Sequence, residues 1–289
     1  MTPSFAWLNG RLLPESEAVL PVLDRAVLYG DSLFETVPIR HGRPFQWQAH
    51  LDRLDAGAAL TGINPGLSHA QWTEALRALL AANNALHGAV RLTVTRGVGR
   101  RGYSPRGADS PNRILTWHPA EPIERPHPGW HLRTSRFRLA CDDPLAPAKH
   151  GSRLLQVVAR AEAEAAGADE ALLLDTNGCL AEATSGNLFW IDANAVHTPP
   201  PDAPVLPGIT AACLRPLLAA RGLDLRETRA PIDALRQSRG AFLTLSTLGI
   251  VPILSLDGQP LPVPDIVPQL AEDLLRWMDQ DGLFPKNTG

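Results

Sequence analysis

Residues 119–129, Pro-Ala-Glu-Pro-Ile-Glu-Arg-Pro-His-Pro-Gly, place four prolines in eleven positions. Each proline removes an amide donor and steers the residue before it away from helix, so neither a helix nor an interior strand runs through them. The segment reads as a linker between a small first domain over 1–118 and a larger second domain over 130–289. With 289 residues, 44 % of them hydrophobic, each part can bury a core of its own, which excludes wholesale disorder.

In the first part, apolar runs at Phe5–Leu8 and Arg11–Leu13 flank Asn9-Gly10, and runs at Leu33–Ile39 and Arg43–Gln46 flank His41-Gly42. Each pair predicts a hairpin. Leu51, Leu54 and Ala58 recur at helical spacing and predict a helix over 50–60, with Gly62 beyond its end. Ser68 with Gln71 is a capping-box pattern opening a helix over 69–82, whose stripe is Trp72, Leu76, Leu79 and Leu80. Strands are expected over 89–95 and 113–117. Beyond the linker the pattern predicts a strand near 131–138, a loop holding Lys149, and a helix over 153–166 ended by Gly167. Paired strands follow over 171–175 and 180–191 around Thr176-Asn177-Gly178, then helices over 210–221 and 264–278. Strands and helices come in runs without strict βαβ alternation, which argues an α+β fold.

Composition removes several classes of function. The 27 basic against 30 acidic residues, net −3, leave no electrostatic footprint for nucleic acid. No run approaches the ~18 apolar residues of a membrane helix, and Met1–Gly10 lacks the basic-then-apolar pattern of a secretory signal. Cys141, Cys179 and Cys213 are odd in number and far apart, forming neither a disulfide framework nor a CxxC site, so a cytoplasmic location is expected. The histidines show no ligand spacing; His127 and His131 straddle Pro128-Gly129, and no metal is expected.

Arginine has displaced lysine almost everywhere: of the 27 basic residues only Lys149 and Lys286 are lysines. A surface cation tolerates that exchange. A primary amine that condenses with a carbonyl does not, because guanidinium stays protonated. Lys286 sits in the polar stretch Pro285-Lys286-Asn287-Thr288-Gly289, which leaves Lys149 as the candidate reactive amine, against the plainer reading of two ordinary lysines. Gly97-Val98-Gly99-Arg100-Arg101-Gly102 spells GxGxxG, but the following Tyr103-Ser104-Pro105 cannot open the helix a dinucleotide site requires. A strand-connecting loop is expected, its arginines either a solvated rim or a clamp for a carboxylate. Leu206-Pro207-Gly208-Ile209-Thr210 leads into a helix with Thr210 as its expected N-cap, a plain cap or a set of amides for an anion. Leu245-Ser246-Thr247-Leu248-Gly249 is a small-residue loop, a simple turn or a second set of donors. Glu182, among the small residues of 181–187, is either exposed or paired with a cation.

In order along the chain, Asp24-Arg25-Ala26, Tyr29 to Thr36, His50-Leu51-Asp52-Arg53-Leu54, Lys149-His150, Asp169-Glu170-Ala171, Glu182 to Trp190 and Leu206 to Thr210 resemble the class IV (fold type IV) pyridoxal-phosphate enzymes. These are the branched-chain and D-amino-acid aminotransferases and the aminodeoxychorismate lyases. The resemblance implies a small N-terminal α/β domain, a larger C-terminal domain with a β-barrel-like core, pyridoxal 5'-phosphate as cofactor, and a homodimer acting on a small amino acid-like substrate. It implies Lys149 as the Schiff-base lysine, Glu182 as partner of the pyridine nitrogen, and Arg53, Ile209, Thr210, Ser246 and Thr247 as the phosphate cup. Lys149-His150-Gly151-Ser152-Arg153-Leu154 is similar to the lyases' Lys-His-x-Asn-Arg-Leu, with Ser152 in place of Asn. Leu154 stands where branched-chain enzymes carry a tyrosine. Phe34 and Tyr103 depart from the carboxylate trap of the D-amino-acid enzymes, and Ala211 stands where many members have arginine. The expectation is a lyase that turns 4-amino-4-deoxychorismate into 4-aminobenzoate and pyruvate for folate synthesis, with Arg101, Tyr103 and Tyr29 toward the substrate. A D-amino-acid or related aminotransferase is the alternative, and a non-catalytic small-molecule-binding relative is the alternative of a different class.

Overall fold

The computed structural model describes residues 4–193 and 195–280, and Lys286 lies outside them. The chain forms two compact units. Of the described residues, one comprises those up to Pro122, Ala148–Arg153 and those from Met278; the other comprises those of Ile123–Pro147 and Leu154–Trp277. The boundary at Pro122 falls inside the proline-rich segment, and the short stretch carrying Lys149 packs with the first unit.

The first unit is an antiparallel sheet covered by two helices. Its elements are β1 (Phe5–Leu8), β2 (Arg11–Pro14), α1 (Arg25–Tyr29), β3 (Ser32–Arg40), β4 (Arg43–Pro44), α2 (Trp47–Thr61), α3 (His69–Ala82), β5 (Gly88–Thr95) and β6 (Arg113–Pro119). The strand order is β2-β1-β6-β5-β3-β4. Both expected hairpins form, and Asn9-Gly10 and His41-Gly42 have positive φ at each residue, which matches the turn to the strand twist. The capping box at Ser68 and Gln71 is present with both reciprocal bonds. Leu51 and Leu54 of α2 and Trp72, Leu76, Leu79 and Leu80 of α3 join Val37, Leu92 and Leu115 of the sheet in one core. The helical stripes therefore bury the faces that their spacing marked.

The second unit contains β7 (Trp130–Leu139), α4 (Leu154–Ala165), β8 (Glu170–Asp175), β9 (Leu180–Ala183), β10 (Asn187–Ile191), β11 (Ala195–Thr198), α5 (Ile209–Ala212), α6 (Leu214–Ala220), β12 (Asp224–Glu227), α7 (Ile232–Arg236), β13 (Gly240–Leu245), β14 (Gly249–Leu256), β15 (Gln259–Pro260) and α8 (Ile266–Gln280). Strands β10-β13-β14-β7-β8-β9 pair in sequence, and the Glu182–Asn187 pairing of β9 with β10 closes them into a six-stranded barrel. Closure removes exposed sheet edges and gives the barrel-like core expected of the larger part. Leu172, Leu188, Leu243, Val251 and Ile253 fill it.

Two expectations are corrected here. The run 180–191 is not one strand: it breaks at Thr184-Ser185-Gly186, where the Ala183 amide donates to Gly186 O at 2.8 Å. Buried Glu170 accepts the Thr184 hydroxyl and, at 2.6 Å, the Ser185 hydroxyl, which holds the break in place. The helix expected over 210–221 is two helices, α5 and α6, separated at Cys213.

Candidate active site

The residues marked by the sequence fall into one set on each unit. In the first unit, 149–151 runs antiparallel to the start of β3. Phe34 N donates to Lys149 O at 2.9 Å, Gly151 N donates to Ser32 O at 2.8 Å, and His150 forms a bridge with Leu33. Arg153 closes the segment on itself, with Nε on His150 O and Nη2 on Ala148 O, both at 3.1 Å. The backbone of Lys149 is thereby fixed to a sheet, while its half-buried side chain extends over the Phe34 ring, Nζ 4.7 Å from the centroid.

Glu35 lies on the opposite face of β3 from Phe34, among Leu33, Val37 and Ile39. A charge there is tolerated only when its oxygens are satisfied. His50 and Arg53, one turn apart on α2, do this. His50 Nδ1 donates to Oε2 at 2.7 Å, and Arg53 donates through Nε to Oε1 at 2.9 Å and through Nη2 to Oε2 at 2.6 Å. Burial alone would raise the Glu35 carboxyl, but the bonds from Arg53 and His50 outweigh it and hold it below its ordinary value. Burial pushes His50 down against the pull of Glu35, and the positive charges of Arg53 and Lys149 push the same way. Arg53 is thus oriented bidentately, and Lys149 is close enough for its charge to be felt by the histidine.

Between β5 and β6, residues 97–102 form a loop and open no helix. Arg101 is exposed, as is Tyr103 at 86 %. The structure brings Tyr29 and Tyr103 together, with ring centroids 5.4 Å apart and planes tilted by 57°, and Tyr29 Oη accepts the Gly102 amide at 3.2 Å.

In the second unit, Glu182 of β9 is buried, and its Oε2 accepts Leu206 N at 2.9 Å. Asn187 of β10, directly across from it, donates through Nδ2 to Leu206 O at 2.7 Å. Two barrel side chains therefore grip both polar groups of Leu206 and set the path into α5. The N-cap of α5 is Gly208, and Thr210 is its second residue, against the expectation that Thr210 caps. A Cβ at Gly208 would sit 1.8 Å from Asn187 Oδ1, so a side chain there must push the Asn187 amide off the position from which it grips the turn. Ile209 and Thr210 are buried. Ser246 and Thr247 lie in the turn joining β13 to β14, Ser246 half-buried and Thr247 exposed.

Glu35, His50 and Asn187 were not singled out by sequence reasoning. Glu35 carried a signal nonetheless: it shares the parity of Leu33 and Val37 along the strand, where an acid must find partners. The donor chemistry fits pyridoxal phosphate. An aldehyde requires a primary amine, and Lys149 has one. A phosphate requires a cation with amide and hydroxyl donors; the first unit has a cation of this kind in Arg53, and the second has such donors at Ile209, Thr210, Ser246 and Thr247. A protonated ring nitrogen requires a buried carboxylate, and Glu182 is one already anchored at one oxygen. Among the described residues, no group of His, Cys, Asp and Glu is arranged to hold a metal, and no helix is long and apolar enough to cross a membrane.

Comparison with known proteins gives three kinds of relative. A family model described as amino-transferase class IV matches residues 32–256. The D-alanine aminotransferase of Bacillus licheniformis is 30 % identical over 259 residues, 88 % of either chain. The solved 4-amino-4-deoxychorismate lyase of Pseudomonas aeruginosa is 35 % identical with a TM-score of 0.83, over 95 % of this chain and 99 % of that one. A branched-chain amino acid aminotransferase of the organism abbreviated T.th., solved with pyridoxamine 5'-phosphate, is 25 % identical with a TM-score of 0.89, over 97 % of this chain and 95 % of that one.

Proposed function

We propose, from the premise that the chain belongs to the class IV aminotransferase family, that it is a lyase converting 4-amino-4-deoxychorismate into 4-aminobenzoate and pyruvate. Membership makes it an enzyme that uses pyridoxal 5'-phosphate. The observation that carries the lyase reading is the 35 % identity with the P. aeruginosa lyase over nearly the whole of both chains. The Lys149 to Leu154 segment, similar to the lyase pattern, adds to it.

When bound, the cofactor supplies an aldehyde that takes up an amine and a ring that stores an electron pair. The chain supplies the rest. Lys149 Nζ holds the cofactor at rest and, once released, takes the proton from the carbon that bears the substrate's amine. One C–H and one C–O bond break, the ring becomes aromatic, and the departing enolpyruvyl group takes up one proton to become pyruvate. Arg53, with the donors at Ile209, Thr210, Ser246 and Thr247, binds the phosphate, and Glu182 keeps a proton on the ring nitrogen. Arg101, Tyr103 and Tyr29 face the substrate, Arg101 taking a carboxylate. The enzyme works as a homodimer in the cytoplasm. The exposed apolar side chains Val19, Val22, Leu23, Val27 and Leu28 support the first, and the odd number and wide spacing of Cys141, Cys179 and Cys213 support the second.

The test is an assay of the purified holoenzyme with aminodeoxychorismate and no keto acid. Pyruvate and 4-aminobenzoate released in equal amounts support the lyase. Turnover that requires a keto acid overturns it in favour of a D-amino-acid aminotransferase, the reading that the 30 % identity with the B. licheniformis enzyme favours.

A further inference from the structure

The loop that spells GxGxxG is shaped around one side chain. Arg25 of α1 is only 4 % exposed, yet two of its three guanidinium nitrogens are spent on backbone. Nη1 donates to Gly102 O at 3.0 Å and to Ser104 O at 3.2 Å, and Nη2 donates to Tyr103 O at 3.0 Å. One rigid, planar cation thus gathers three successive carbonyls. Nε donates to Asp31 Oδ2 at 2.7 Å, and the same oxygen accepts Arg96 Nε at 2.8 Å. Arg96 donates in turn to Thr61 O and Gly62 O, each at 2.9 Å, tying the start of the loop to the end of α2. The glycine of the motif's centre makes room for this: a Cβ at Gly99 would lie 3.0 Å from Arg25 Cδ and 3.1 Å from Ala108 Cβ. Tyr29, which packs on Tyr103, lies under the same guanidinium, Arg25 Cζ 4.9 Å from its ring centroid. The segment 96–113 carries Arg96, Arg100, Arg101, Arg106 and Arg113 against a single acid, Asp109.

We infer that Arg25 is a positioning residue for the substrate's carboxylate: by holding the carbonyls of Gly102, Tyr103 and Ser104, it sets Arg101 and Tyr103 in one arrangement before substrate arrives. The inference rests on the function proposed above in taking a carboxylate-bearing amine as substrate. A loop ordered in advance loses little freedom on binding. Loss of the clamp therefore weakens recognition and leaves proton transfer at Lys149 intact.

Two variants test this in the holoenzyme. Arg25→Met removes every donor, and Arg25→Lys keeps a positive charge beside Asp31 but cannot span three carbonyls. Both are expected to raise KM about tenfold with kcat within about twofold, the split expected of lost preorganisation. Trypsin, with the products identified by mass, is expected to cut after Arg100 or Arg101 about tenfold faster, because the loop opens more often. On an Arg101→Ala background, Arg25→Lys should raise KM by clearly less than it does in the wild type, because only the share carried by Tyr103 is left to lose. The visible absorbance of the bound cofactor should be the same in every variant. Faster cleavage with unchanged KM overturns the inference, as does a fall in kcat at constant KM, or a full rise in KM on top of Arg101→Ala. Should Arg25→Met not fold, Arg25→Lys carries the test. Should the wild type turn over only D-alanine with a keto acid, the lyase reading fails and the same comparisons are read with D-alanine. Should it turn over neither, the affinity for 4-aminobenzoate, read from the cofactor's absorbance, takes the place of KM.

Discussion

A carboxylate on an apolar strand face organises Arg53 and His50. Glu35 satisfies His50 and two donors of Arg53 in a buried site. Glu35→Gln removes the charge while keeping the volume, and leaves Arg53 with one poorer acceptor. Cofactor affinity, measured by absorbance titration, is expected to fall about tenfold, the scale of one lost charge-assisted hydrogen bond. Asp31 gives a pH prediction. Burial alone would raise its carboxyl, but the bonds from Arg96 and Arg25 outweigh it and leave it below its ordinary value. A depressed carboxyl adds stability above its unfolded pKa and loses it as pH falls through the folded one. The melting temperature should therefore fall more steeply below about pH 4 in the wild type than in Asp31→Asn. At this scale the chain was partly legible. Lysine scarcity made Lys149 a candidate, because an amine is not replaceable by guanidinium, and the Lys149-His150 motif of the resemblance gave it a role. Arg25 was not marked, because nothing local tells whether an ionised side chain on a short helix points inward; the parity of Glu35 with Leu33 and Val37 was legible and was passed over.

Elements with local causes were legible, and those with distant causes were not. The Asn9-Gly10 and His41-Gly42 turns, the Ser68–Gln71 box and the stripes of α2 and α3 each follow from residues within a few positions. The short α1, capped by Asp24 through the Ala26 amide, has too few turns to show periodicity. The start of α5 depends on Asn187, some twenty positions earlier, which is why Thr210 looked like the cap and Gly208 is. Gly208→Ala is expected to cost about 1–3 kcal/mol, the usual range for an overpacked site. It should also lower the gain in melting temperature on adding pyridoxal phosphate. Ser68→Ala serves as the contrast: about 1 kcal/mol lost from the capping box, with the cofactor's effect unchanged.

For the whole molecule, what could not be read locally is closure and grouping. The barrel closes through a single pairing, Glu182 with Asn187. The segment 148–153, from mid-chain, packs with the first unit through backbone bonds to β3. Both depend on contacts between residues far apart in the chain, which periodicity does not encode. The exposed apolar side chains at 19–28 predict association, so light scattering should find a particle of twice the 31.2 kDa chain mass. The account as a whole depends on the amine of Lys149. Borohydride reduction of the holoenzyme, followed by peptide mass spectrometry, reads that amine directly. The cofactor's mass should appear on the peptide containing Lys149, and Lys149→Ala should lose both the adduct and turnover; an adduct on Lys286 instead, or full turnover in Lys149→Ala, would contradict the account.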